Sequence, residues 1–225
     1  MPQRVKQTRS YDSSRRRQQA ALTRREILDA AKRLFEERGY ASTTMAAIAN
    51  AAGVSLKTVY VAFETKSGVL RALWNVLLRG DDAETPVPER DWYRSVLAEP
   101  DARRQLVGAA RNSRVVKERV GGIFEVIHAA ATTDDDIAEL WSRIQTEFRA
   151  VLRAIVASIE EKGALSRALD VERATDLLWT ISHPSVWQLL VRERGWTPDA
   201  YEAWCAEITC AQLLKPGTPR SRRSR

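Results

Sequence analysis

The sequence predicts an all-α chain in which an N-terminal three-helix head carrying a helix-turn-helix precedes a larger C-terminal helical body. Three observations predict it. Apolar residues recur every three or four positions along most of the chain, the period of helices with one buried face. Glycines at 39, 53, 163 and 195 fall where those stripes stop, the place where a helix commonly ends. The stretch GDDAETPVPERDW at 80–92 is acidic, Pro-bearing and non-periodic, so it reads as a linker or surface loop. No convincing strand or internal repeat breaks the pattern.

Taken in order, residues 1–20 are polar, Arg-rich and poor in aliphatics, and are expected to form a disordered basic arm. Ile27, Ala31, Leu34 and Phe35 make the stripe of a first helix that Gly39 stops. Thr43 and Thr44 offer an N-cap for a short helix over about 45–52, ended by Gly53. A third helix covers about 56–62 and a fourth about 67–79. Beyond the linker, Val116, Val120, Ile123, Phe124 and Ile127 form one stripe. Trp141, Ile144, Phe148, Val151, Leu152 and Ile155 form another, on a helix of about 134–162. Asp170 can cap a helix of about 171–194, and the last runs over about 197–214. The expected division is an arm at 1–20, a helix-turn-helix domain at 21–66, an effector-binding and dimerisation domain at 67–214, and a disordered basic tail at 215–225.

Composition narrows the function. The 225 residues carry 36 Lys+Arg against 29 Asp+Glu, a net charge of +7, which favours a polyanionic partner such as nucleic acid. The charge is concentrated at the ends: Arg4, Lys6, Arg9, Arg15, Arg16, Arg17, Arg24 and Arg25 face only Asp12 in the first 25 residues. No apolar run is long enough to span a bilayer, so no membrane partner is expected. The N-terminus lacks the apolar core of a secretory signal, and the expected location is cytoplasmic. Cys205 and Cys210 stand five apart, on different faces of one helix, and suit neither a zinc site nor a local disulfide. No phosphate-cradling glycine loop, metal-spaced cluster or Ser/His/Asp arrangement is present. No catalytic residue, metal or cofactor is therefore expected, and a helical enzyme is the remote alternative.

The head carries the chemistry. A helix-turn-helix needs a small residue where its helices cross, a turn residue that tolerates positive φ, and apolar residues that lock the second helix to the first. Ala49, Gly53, Ile48, Val54 and Val59 stand where these are required. In GVSLKTVYVAFETKSG, Val59 and Phe63 then point into the head's core. The side with Lys57, Thr58 and Val61 is left for a major groove. Tyr60 is on the border, with a ring that can pack and a hydroxyl that can reach a phosphate.

TREILDAAKRLFEERGY and TTMAAIANAAGVSLKTVYVAFETKSGVLRAL resemble the DNA-binding head of the TetR (tetracycline-repressor-like) family of bacterial regulators, all-helical homodimers. The run Thr58, Tyr60, Phe63, Lys66 is its most specific part, and the closing LLWTISHPSVWQLLVRERGWTPDAYEAWCAEITCAQLL is similar to the family's last two helices. The resemblance implies phosphate contacts from Thr44, Tyr60 and Lys66; helix N-termini favour anions at Thr44 and Lys66 in any case. It implies contacts to bases or nearby backbone from Ala46, Ser55, Leu56, Lys57, Thr58 and Val61. Ala46, Leu56, Val61 and Ala62 depart from a polar reader. Readout would rest on Lys57, Thr58 and apolar contacts to thymine methyls, with an arginine of the arm available to the minor groove.

In the body, Trp92, Phe124, His128, Trp141, Phe148, Trp179, His183 and Trp187 either line a cavity for a small-molecule effector, as family pockets do, or pack as core aromatics. Pro184 removes a backbone bond inside a helical pattern and should kink the helix near Ser182 and His183. Val186, Leu190, Trp204, Ile208, Leu213 and Leu214 give the last two helices more apolar surface than one body covers. A homodimer through those helices follows, with the two-fold symmetry of a palindromic operator in double-stranded DNA. The expected function is a ligand-released transcriptional repressor; a DNA-binding regulator without an effector is the alternative.

Overall fold

A computed structural model describes residues 9–80 and 85–216. Residues 1–8 of the expected arm and 217–225 of the expected tail lie outside it. The described residues are helical with no strand; one isolated bridge joins Leu165 to Leu214.

The first helix, α1, spans Arg9–Ser42, so residues 9–20, expected to be disordered, are helical. Arg, Gln and Ala are good helix formers and neither Gly nor Pro occurs in the helix before Gly39, although no apolar stripe marks the segment. Helical dihedrals break at Gly39, as expected. Ile27, Ala31, Leu34 and Phe35 are all buried. The buried Thr43 hydroxyl donates towards the carbonyls of Gly39 (2.8 Å) and Leu34 (3.2 Å), which pins the chain as it leaves α1.

Helix α2 (Met45–Ala51) and α3 (Leu56–Phe63) follow. Thr44 caps α2, its hydroxyl accepting from the Ala47 N–H at 3.1 Å. Ile48 and Ala49 are buried at the crossing, and Gly53 turns the chain at φ 67°, a conformation only glycine adopts without strain. Helix α4 (Lys66–Arg79) starts against the end of α3 so closely that a Cβ on Gly68 would lie 2.2 Å from the Phe63 carbonyl oxygen.

The described chain divides into two units. One comprises residues up to Asn75 with Glu125–Ala138; the other comprises Val76–Phe124 with the residues from Glu139 onward. The expected division lies between residues 66 and 67, and the first unit also takes in the start of α4. Val69, Leu70, Leu73 and Trp74 of α4 are buried and belong to the head's unit.

In the second unit a 3₁₀ turn at Val87–Glu89 leads into α5 (Asp91–Ala98). The expected loop at 80–92 thus holds the start of a helix whose Tyr93 and Val96 are buried, the Tyr93 hydroxyl donating to the Val151 carbonyl at 2.8 Å. Then come α6 (Ala102–Ala130), α7 (Asp135–Glu161) and α8 (Val171–Ile181), the last capped by Asp170 as expected. The helix breaks at Ser182 and His183; α9 (Pro184–Trp187) begins on the proline and continues as a π-helical turn, Gln188–Glu193. Helix α10 (Pro198–Leu213) closes the fold. Leu106, Leu152, Ile155, Val156, Ile159 and Leu178 centre one core cluster, and Trp187, Tyr201 and Cys205 a second. Leu213 is fully buried in the chain's own core, so it is not part of the outward surface expected of the last two helices; Val186, Leu190, Trp204, Ile208 and Leu214 are half-buried.

Candidate nucleic-acid interface

The second helix of the helix-turn-helix divides by face. Val59 is fully buried and Phe63 nearly so, whereas Leu56, Tyr60 and Val61 are exposed, Val61 by 77%. Lys57 is exposed beside them, with Ala46 exposed on α2. The buried pair anchors α3 and the remaining side faces solvent, the arrangement the sequence predicts.

Ser55 and Thr58 behave as a unit. The Ser55 hydroxyl accepts from the Thr58 N–H at 3.1 Å and shares a 2.7 Å hydrogen bond with the Thr58 hydroxyl. Both side chains thus fix the first turn of α3, and Thr58 is half-buried. Thr44 is likewise engaged as a cap. Lys66 is turned inward: its ammonium donates to the Tyr40 carbonyl at 2.8 Å and lies 4.0 Å from the Tyr40 ring centroid. Burial pushes that ammonium below its ordinary pKa, with Asp134 acting in the opposite sense.

Two elements escaped sequence reasoning. Arg24 of α1 donates to the Ala62 carbonyl at 2.7 Å, its guanidinium 4.1 Å from the Phe63 ring centroid. It closes the C-terminal end of α3, where a cation meets unpaired carbonyls. The start of α7 also belongs to the head's unit: Asp136 accepts from the Ser67 hydroxyl at 2.7 Å. Burial, and then the hydrogen bond to Asp134, raises the Tyr40 phenol above its ordinary pKa. Pairings across 69 residues of chain leave no local signal.

Five of the eight aromatic candidates meet around His183 in the second unit. Its ring lies 4.7 Å from Trp179, 5.5 Å from Phe124 and 6.4 Å from Phe148, and Phe124 is 5.0 Å from Trp141. Gln145 reaches the His183 Nε2 at 3.4 Å. The Gln145 Nε2 and Trp179 Nε1 donors are buried without a hydrogen-bond partner. The other three candidates sit elsewhere. Trp92 meets Tyr93 edge-on at 6.1 Å, Trp187 stacks edge-on against Tyr201 at 5.0 Å, and His128 is exposed in the last turn of α6. An open groove of about 350 Å³ runs beside α8, lined by Leu169, Arg173, Asp176, Leu177 and Thr180, and includes none of the eight.

The description "Bacterial regulatory proteins, tetR family" matches residues 27–73, which cover the helix-turn-helix and most of α4. The probable HTH-type transcriptional regulator ArpR of Pseudomonas putida is 31% identical over 163 residues, 71% of this chain and 76% of that protein. The regulator TtgR of the same species matches to the same extent. The chain belongs to the TetR family of bacterial transcriptional regulators.

As a member of the TetR family it is a DNA-binding transcriptional regulator and not an enzyme. Solved structures share its fold. NalD, the secondary repressor of the MexAB-OprM multidrug efflux pump in Pseudomonas aeruginosa, superimposes with a TM-score of 0.68 at 21% identity, covering 89% of this chain and all of NalD. SmeT in complex with triclosan gives 0.62 at 20% identity, covering 91% and 98%. A regulator from Saccharomonospora viridis in complex with choline gives 0.66 at 18%, covering 87% and 100%. Among the described residues, no single helix of this TetR-family chain is long and apolar enough to cross a membrane.

Proposed function

We propose that this regulator represses transcription as a homodimer on a palindromic operator and leaves it when a small molecule binds the second unit. The observation that carries the DNA-binding part is the outward face of α3. Val61 is 77% exposed two residues from a fully buried Val59, so the helix is held firmly while it offers an apolar and basic surface. Val61 and Leu56 suit thymine methyls, Lys57 suits a base edge, and Tyr60 suits a phosphate. Thr44, Ala46, Ser55 and Thr58 shape the approach, and Lys66 acts by holding the start of α4.

The ligand part rests on the aromatic group around His183, where two buried donors lack acceptors. A buried donor without a partner is costly, and an acceptor on a bound molecule would satisfy it. SmeT and the S. viridis regulator, which share the fold, hold triclosan and choline respectively. A ligand releases DNA only if it binds the DNA-incompetent arrangement more tightly than the competent one. The close ring packing about His183 favours a second reading, a regulator without an effector.

Val61→Asp tests the α3 assignment. Its side chain is exposed, so the fold should persist, while a carboxylate in the groove should abolish binding to DNA fragments selected from the genome. A folded Val61→Asp protein that binds those fragments as wild type does would remove α3 from the interface.

A further inference from the structure

Lys117 of α6 is only 3% exposed. Its ammonium donates to the Ser113 hydroxyl one turn earlier and lies 5.4 Å from the Tyr201 ring centroid. Among the described residues it meets no carboxylate. Burial pushes its pKa down to about 8, so at neutral pH most of it is still a buried, unpaired cation. The neighbouring polar groups are also donors short of acceptors. The buried Tyr201 hydroxyl has no oxygen or nitrogen acceptor and only the Cys205 thiol beside it, and the Ser182 hydroxyl has only the same sulfur, at 4.0 Å.

A core that needed only volume here would hold methionine, because an unpaired buried charge is strongly unfavourable. The walls are apolar: Trp187, Ala110 and the ring of Tyr201 are buried around the cluster. In such surroundings an arriving anion would meet a cation weakly screened by water. Lys117 and Phe124 stand seven residues apart on α6, hence on one face of it. Gly121, one turn on along the same face, is packed by the Trp187 ring and the Gln188 amide, so the ring of an aromatic acid seated at Lys117 would lie against Trp187.

We propose that the cluster where α6, α10 and the break after α8 meet is an anion-binding subsite, where the Lys117 ammonium and the Tyr201 and Ser182 hydroxyls receive the carboxylate of a small aromatic acid. The subsite goes beyond the proposed ligand response and depends on it only for its effect on DNA.

Titration calorimetry of the full chain with benzoate and with its uncharged isostere benzamide tests this. Benzoate should bind at least about tenfold more tightly, the scale of one charge-assisted hydrogen bond. Lys117→Met should reduce benzoate to the affinity of benzamide, leave benzamide unchanged, and melt no lower than wild type, since an unpaired buried charge has been removed. Tyr201→Phe keeps the ring against Trp187 and should lose a smaller part of the preference. Equal affinities in wild type, a preference retained in Lys117→Met, or no benzoate binding up to its solubility limit overturns the proposal. So does a Lys117→Met protein that fails to fold, because the ammonium would then be structural. Benzoate binding that follows the expected pattern without releasing DNA supports the subsite and counts against the ligand-release reading.

Discussion

The Lys66 ammonium donates to the Tyr40 carbonyl at 2.8 Å and lies 4.0 Å from the ring of the same residue. One cation thus joins the start of α4 to the chain leaving α1, and Asp134, from the turn before α7, hydrogen-bonds the Tyr40 phenol. Lys66→Met should therefore destabilise the head by about 2–4 kcal/mol, the sum expected of a cation–π contact and a charged hydrogen bond. Affinity should fall about equally for all DNA sequences, because the residue positions α4 and reads no base. Urea unfolding and binding to a panel of duplexes check both; an unchanged midpoint would mean that the inward pose contributes nothing.

Two glycines of the head separate steric from conformational need. Gly68→Ala places a Cβ where 2.2 Å is left to a backbone oxygen, and should cost at least about 2 kcal/mol because neither α3 nor α4 can yield cheaply. Gly53→Ala meets open space but holds φ at 67°, and should cost about 1 kcal/mol. Denaturant midpoints rank the two, and a reversed order would place the junction of α3 and α4 wrongly.

The helix-turn-helix was legible because each of its demands is local: Ala49 for the crossing, Gly53 for the turn, Val59 for the lock. Pro184 marked the break at His183 for the same reason, as a missing N–H acts on its own helix. Residues 9–20 were misread because helix propensity without an apolar stripe looks like disorder. The start of α5 was hidden by Pro86 and Pro88 just before it. The inward turn of Lys66, the Arg24 closure of α3 and the Ser67–Asp136 bond depend on residues 26, 38 and 69 positions apart. Spacing along one helix carries no record of them. The aromatic candidates were identified by type, and only the fold shows that five meet while Trp92, His128 and Trp187 do not join them.

Division of labour on α3 is testable by selection from random DNA. Lys57→Ala should change the preferred bases at particular positions, and Tyr60→Phe should weaken binding while leaving the preferred sequence intact. The opposite pattern would exchange the two roles.

The unpaired Lys117 also makes stability depend on pH with a definite sign. Its folded-state pKa of about 8 lies below the ordinary value of about 10.4. Between the two, the unfolded chain binds a proton that the folded chain has released, so the contribution of Lys117 to stability should rise with pH from about 8 to about 10. The full shift corresponds to a rise on the order of 3 kcal/mol. Lys117→Met should flatten the profile. The Cys205 and Cys210 thiols, which burial raises, oppose this rise from about pH 8.5, and the Tyr40, Tyr93 and Tyr201 phenols oppose it above pH ~10, so the quantity to read is the difference between wild type and Lys117→Met at each pH. Identical profiles for the two proteins would mean that Lys117 is solvated.

Sedimentation of the full chain with a palindromic duplex selected from genomic DNA, alongside the same duplex cut to one half-site, tests the proposed function most directly. Two chains per palindrome are expected, their α3 helices about 34–36 Å apart or at a comparable spacing on bent DNA, with far weaker binding to the half-site. A single chain that binds the half-site as tightly as the palindrome would contradict recognition by a dimer.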